Sequence, residues 1–157
     1  MKIRFATSED VPVFVEMAQV FHANTRFKAF DYDPERVEAH LQAVIDNSKD
    51  KHCFFVAENG EGKPVGGLIA CVESHFFSGQ PVASVIHYDV LPEFRMGGAG
   101  LKLITAFRKW AENRGVFEIS AGVNSGVDVD KMDSFLRKLG FQLTGGNYSM
   151  TLGSSEG

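Results

Sequence analysis

Three apolar runs, "HCFFVAE", "VGGLIACVES" and "VASVIHYDVL", succeed one another between residues 52 and 91, separated by the turn-rich "NGEGKP" and "FSGQP". Each is rich in β-branched and aromatic residues, and links this short join neighbouring strands of opposite direction. The middle of the chain is therefore predicted to be an antiparallel meander, and the flanking segments must cover its faces.

Those segments carry helical patterns. "KIRFA" alternates as a short strand, and Ser8 with acidic Glu9 and Asp10 opens a helix whose apolar face is Val11, Phe14, Val15, Ala18 and Phe21. Asp33 and Pro34 are the cap and first-turn proline of a second helix, with Val37, Leu41, Val44 and Ile45 inward. After the meander, a helix starting near Gly98 places Leu101, Ile104, Phe107 and Trp110 on one face. A strand "VFEISAGV" follows, then a helix capped near Asp130 with Met132, Phe135, Leu136 and Leu139 inward and Gly140 at its C′ position. "FQLT" and "YSMTL", joined through "GGN", read as a terminal hairpin. The order β-α-α-β-β-β-α-β-α-β-β predicts an α/β (α+β) fold: a mixed, mostly antiparallel sheet of about seven strands with four flanking helices. Residues 1–152 are expected to form a single domain, and 153–157 a flexible tail.

Composition narrows the function classes. At 157 residues and 44% hydrophobic, the chain has enough material for a core without disulfide or metal staples. A net charge of -4 argues against neutralising nucleic-acid phosphates, so no nucleic-acid partner is expected. No apolar run approaches the roughly 20 residues that span a bilayer. Cys53 and Cys71 sit inside strand-like runs without the spaced partners of a zinc site. The expectation is a cytoplasmic protein with reduced thiols, no metal and no membrane partner.

Between the third run and the next helix lies "RMGGAG". A glycine-rich loop opening a helix directs free backbone N–H groups and the positive end of the helix dipole at one spot, which suits an anion. The pattern is neither GxxxxGK[ST] nor GxGxxG. It is R-x-x-G-x-G, Arg95 to Gly100, preceded by "VLPEF". This segment resembles the acyl-CoA-binding motif of the GNAT superfamily of N-acetyltransferases, and the element order of residues 1 to about 152 is similar as well. The resemblance implies acetyl-CoA as cosubstrate, its pyrophosphate on the amides of Met96, Gly97, Gly98, Ala99 and Gly100 with Arg95 alongside. It also implies a pantetheine arm along unpaired backbone at Asp89, Val90 and Leu91, and Asn124 near the cofactor. A small-molecule or peptide amine would be the acceptor, and a homodimer is the family-level expectation.

Transfer to an amine needs a base, because removing the proton of an ammonium at pH 7 costs about 4.6 kcal/mol. Strict alternation puts His87 and Asp89 on one face of the third run and Ser84, Ile86 and Tyr88 on the other. His87 is favoured as base, directly or through a water, because imidazole titrates in the useful range. The family's usual acid is a tyrosine in a pattern like F-Y-x-K-x-G-F. Here the text is "FLRKLGF", with Leu136 at the tyrosine position. Tyr148 or Tyr88 is then the candidate acid, or the thiolate leaves unassisted. Leu136 also motivates a rival reading, a catalytically silent module that binds acyl-CoA. The loop "FHANTRFKAFDYD", with His22, Asn24, Arg26, Phe27, Phe30 and Tyr32, reads either as an acceptor-pocket wall or as a loop docked by its phenylalanines.

Overall fold

The computed structural model describes residues 1–47, 51–95 and 97–153. Strands β1 (Lys2–Phe5), β2 (His52–Glu58), β3 (Pro64–Ser74), β4 (Pro81–Val90) and β5 (Glu118–Ser120) form one sheet in sequential order. β1 to β4 pair antiparallel, β2, β3 and β4 through short links and β1 with β2 across the two intervening helices. β5 joins β4 in parallel after a crossover through helix α3 (Ala99–Asn113).

Alternation along the strands sorts side chains onto two faces. Cys53, Phe55, Ala57, Leu68 and Ala70 meet Leu103, Phe107 and Trp110 of α3, with Phe135 of α4 (Val129–Lys138) and Leu139 just after it packed at the margin. On the other face Phe54, Val56 and Ile69 meet Phe14 and Met17 of α1 (Val11–Ala23) and Leu41 and Val44 of α2 (Pro34–Asp46). No helix among the described residues is long and apolar enough to cross a membrane.

Several local signals act as read. Asp33 accepts a hydrogen bond from the Arg36 N–H at the start of α2, with Pro34 in its first turn. Gly140 takes φ 96°, and the Phe141 and Gly140 amides donate to the Leu136 and Arg137 carbonyls, closing α4 with a Schellman motif. The first helix starts differently. Ser8–Asp10 form a 3-10 turn, and Asp10 accepts from the Thr7 N–H and from the Arg4 guanidinium, both at 2.8 Å. Arg4 also reaches Glu58, so one buried carboxylate ties β1 to the start of α1 and Arg4 extends the tie to β2. Leu101, expected inward, is exposed. The inward stripe of α3 runs through Leu103, Ile104, Phe107, Trp110 and Ala111.

The sheet has five strands rather than about seven. "VFEISAGV" supplies only Glu118–Ser120, and "FQLT" and "YSMTL" form no strands. A three-residue β5 offers almost no edge to pair against, and Leu143, Tyr148, Met150 and Leu152 all lie exposed.

Gly67 of β3 sits directly over the Phe14 ring. A Cβ there would lie 2.5 Å from Phe14 Cε1. Overpacking of this kind costs about 1–3 kcal/mol. Gly67→Ala is therefore expected to lower Tm by about 2–12 °C in calorimetry, at about 2–4 °C per kcal/mol for a chain this size. An unchanged Tm would mean that the ring yields freely.

Candidate active site

β4 does not alternate strictly. Ile69 pairs with His87 but Ala70 pairs with Val85, so Ile86 is an extra residue and the strand bulges. Before the bulge Ala83 and Val85 face α3, and after it Tyr88 and Val90 do. His87 and Asp89 therefore turn toward α1 and α2, and Ile86 lines the same cavity as both. This corrects the grouping of Ile86 with Tyr88. Ser84 hydrogen-bonds to Ser120 across the β4–β5 pair at 2.9 Å.

The cavity has a volume of about 430 Å³. Phe54, Gly67 and Ile69 form its floor; α1 contributes Phe14, Met17 and Ala18, and α2 contributes Arg36, Val37, His40 and Leu41. Most of this wall is apolar. Burial dominates the titration of the two β4 groups. It pulls the His87 imidazole down to about 4, so the premise that His87 titrates near neutrality fails. Its ring lies edge-to-face against Phe21 with centroids 5.0 Å apart. The same burial pushes the Asp89 carboxyl up to about 6, partly opposed by the Arg95 guanidinium 3.8 Å away and by the Val90 amide. Asp89 is thus the more basic of the pair.

The end of β4 has one free side. β4 pairs with β5 only over Val82–Ser84, while its β3 ladder continues until the Leu91 N–H donates to the Val65 carbonyl. Pro92, lacking an N–H, then begins a 3-10 turn, Pro92–Phe94. From Val85 to Leu91 the β5-side edge has no strand partner among the described residues. Gly98 follows at φ 81°, a conformation glycine adopts without strain, and caps α3. The first-turn amides of Ala99, Gly100 and Leu101 precede the first i→i−4 bond, donated by Lys102 to the Gly98 carbonyl.

The glycines differ in purpose. The Gly97 amide donates to the Phe94 carbonyl. Gly100 is bare because a Cβ there would collide with the Tyr88 hydroxyl. Ala99 is buried, and Met96 lies outside the described residues. Arg95 turns back toward the strand, donating to the Val90 carbonyl at 3.0 Å and facing Asp89.

Other expected residues are distributed as follows. The Asn124 carbonyl accepts from the Arg26 side chain, and the Arg26 amide donates to the Ser125 carbonyl, so the loop after α1 is tied to the loop after β5. That loop's rings dock it: Phe27 stacks on Phe21, and Tyr32 donates to the Val15 carbonyl. None of His22, Asn24, Arg26, Phe27, Phe30 or Tyr32 lines the cavity. Tyr148 is 98% exposed on a segment without strands, so the expected hairpin does not carry it to the cavity. Leu136 is buried. Arg36 and His40 were missed. Their signal was the i,i+4 spacing of two basic-type residues beside the apolar stripe Val37–Leu41.

The profile of the acetyltransferase (GNAT) family matches residues 17–141, most of the chain and every element of the cavity except the start of α1. The chain belongs to this family. It is 30% identical over 122 residues to the mycothiol acetyltransferase of Saccharomonospora viridis, covering 73% of this chain and 39% of that protein. It is also 30% identical over 146 residues to an uncharacterized N-acetyltransferase of Methanocaldococcus jannaschii, covering 89% and 60%. The chain thus matches less than two thirds of the length of either relative, 39% and 60%. Among solved structures, an aminoglycoside acetyltransferase from an uncultured soil metagenomic sample superposes with a TM-score of 0.68 at 27% identity, covering 96% of both chains. The GNAT fold accounts for the mixed sheet and four helices, here with five strands.

Asp89 has a cost that can be measured. Its folded pKa of about 6 exceeds the ordinary 3.8, so it is ionised in both states above pH 6 and protonated in both well below 3.8. The penalty is complete above pH 6 and fades as pH falls toward 4. Its size, about 2.2 units × 1.36, is on the order of 3 kcal/mol. Asp89→Asn should therefore raise Tm at pH 7.5 by several degrees, with the gain shrinking toward pH 4; a variant less stable at pH 7.5 would show that the ionised carboxylate supports the fold.

Proposed function

We propose that this protein is an N-acetyltransferase that moves an acetyl group from acetyl-CoA to a primary amine by direct transfer in a ternary complex, with Asp89 as the base. One observation carries the reading: a partly buried carboxylate of raised basicity stands where the strand edge bared by the β4–β5 separation meets an acceptor-sized cavity. Acetyl-CoA supplies the activated acyl group. The chain's residues fit its two kinds of polar surface: the α3 first-turn amides suit the pyrophosphate, and the β5-side edge at Asp89, Val90 and Leu91, which no described strand covers and where Arg95 and the Phe94 amide hold the Val90 and Leu91 carbonyls, suits the pantetheine amides once Arg95 gives way.

The base acts on the acceptor. An ammonium entering the cavity meets Asp89, which takes its proton and leaves a neutral amine; a general base in such a position contributes about 10²- to 10⁴-fold. His87, uncharged above about pH 4, adds no competing positive charge and orients the amine by hydrogen bonding. Phe14, Met17, Leu41 and Ile69 surround the base with apolar wall. No tyrosine is assigned as acid, since a thiol near pKa 8.5 is already a fair leaving group.

Two experiments test this. Asp89→Asn should lower kcat/KM by about 10²- to 10⁴-fold and remove the acid limb of the wild-type pH profile near pH 6. His87→Ala should keep that limb, and a limb that disappears with His87 instead would reassign the base. Separately, acetyl-CoA at 100 times Kd should add about 2.7 kcal/mol and raise Tm by roughly 5–10 °C. Gly97→Glu should abolish the rise. Gly97 is the better site for this test than Gly98, where positive φ would strain any side chain.

A second reading, a GNAT-fold module that binds acyl-CoA without turning it over, draws on Leu136, a buried leucine where relatives of this type place a tyrosine acid. Thiol release over time with an amine panel separates the two readings once binding is established.

A further inference from the structure

We infer that the acceptor is a small primary amine joined through an apolar body to an anionic group, and that Arg36 on α2 selects for that anion. The inference rests on the acetyl-transfer reading above and names the class of its acceptor.

The argument is one of charge placement. The ordinary demand of an amine-binding site is negative charge, and a polycationic amine needs several carboxylates. Among the described residues lining this cavity, Asp89 is the one carboxylate, and Arg95 already faces it at 3.8 Å. Glu35 and Glu38 belong to α2 but do not line the cavity. What α2 contributes is Arg36 and, one turn on, His40, both exposed and therefore at the mouth. The Arg36 side chain has no ion pair with any described residue, although the protein as a whole is acidic. A guanidinium in such a place matches a carboxylate in a planar, two-pronged geometry.

Between mouth and base the lining is apolar: Met17, Val37 and Leu41 from the helices, Ile69 and Ile86 from the sheet. A cavity of about 430 Å³ with these walls suits a small molecule with an aliphatic or aromatic middle. A second positive charge at the far end of the acceptor would be placed against Arg36, which is unfavourable.

Three amines of one length make the test: 6-aminohexanoate, hexylamine and 1,6-diaminohexane, ending in an anion, a methyl group and a cation. Binding to the full chain is followed by NMR titration in the presence of coenzyme A, and turnover with acetyl-CoA by thiol release. The expected order for both is aminohexanoate, then hexylamine, then diaminohexane, with at least a tenfold span between first and last. Arg36→Glu should invert the order of the two end members, and Arg36→Lys should keep it with a smaller span. Equal binding of all three, or a preference for the diamine in the wild type, overturns the inference. An ordered binding series without any thiol release would instead remove the acetyl-transfer reading while leaving the selectivity of the cavity standing.

Discussion

One extra residue in β4 decides which face of the sheet receives its polar side chains. With strict alternation, Ile86 and Tyr88 would share a face. The bulge at Ile86 instead gives the α3 core Ala83, Val85, Tyr88 and Val90, and hands His87 and Asp89 to the other face. The two polar groups avoid the large core around Phe107 and open onto the gap left between α1, α2 and the sheet. A bulge is a cheap way to achieve this, because it costs one ladder position and re-aims every residue beyond it.

The second consequence is energetic. The α1–α2 face is a smaller core than the α3 face, and Gly67 there leaves room for the Phe14 ring beside the cavity. A carboxylate set at the edge of that hollow loses hydration, which raises both its basicity and its cost to the fold. The Arg4–Asp10–Glu58 network, at the other end of α1, works in the opposite sense. There the Arg4 guanidinium holds Asp10 below its ordinary pKa and the charge favours the native state. One helix is thus anchored by a carboxylate stabilised as the anion at its start and borders one destabilised by burial along its flank.

Much of this was legible in the sequence. The meander could be read because its links are too short for anything else, and α2 because Asp33 and Pro34 mark its start unambiguously. The glycine loop could be read as a helix-opening anion site, though the reason for each glycine could not. Gly98 serves backbone conformation, whereas Gly100 clears the hydroxyl of Tyr88, a residue twelve positions away whose orientation depends on the bulge. The relative basicity of His87 and Asp89 was hidden for a related reason. Residue type favours histidine over aspartate at neutral pH, but burial shifts the two pKa values in opposite directions, and burial is a property of the packed structure. The terminal hairpin was a local pattern without a partner strand long enough to recruit it.

Arg95 belongs to two neighbourhoods at once. It starts the loop read as the pyrophosphate site, yet its guanidinium faces Asp89 and donates to the end of β4. Any anion at the loop that draws this guanidinium outward weakens its hold on the carboxylate and makes Asp89 a stronger base. By reciprocity, protonating Asp89 frees Arg95 for the anion. Loop and carboxyl group are thus joined through a single side chain, and an anion that drew it away would raise the proton affinity of Asp89.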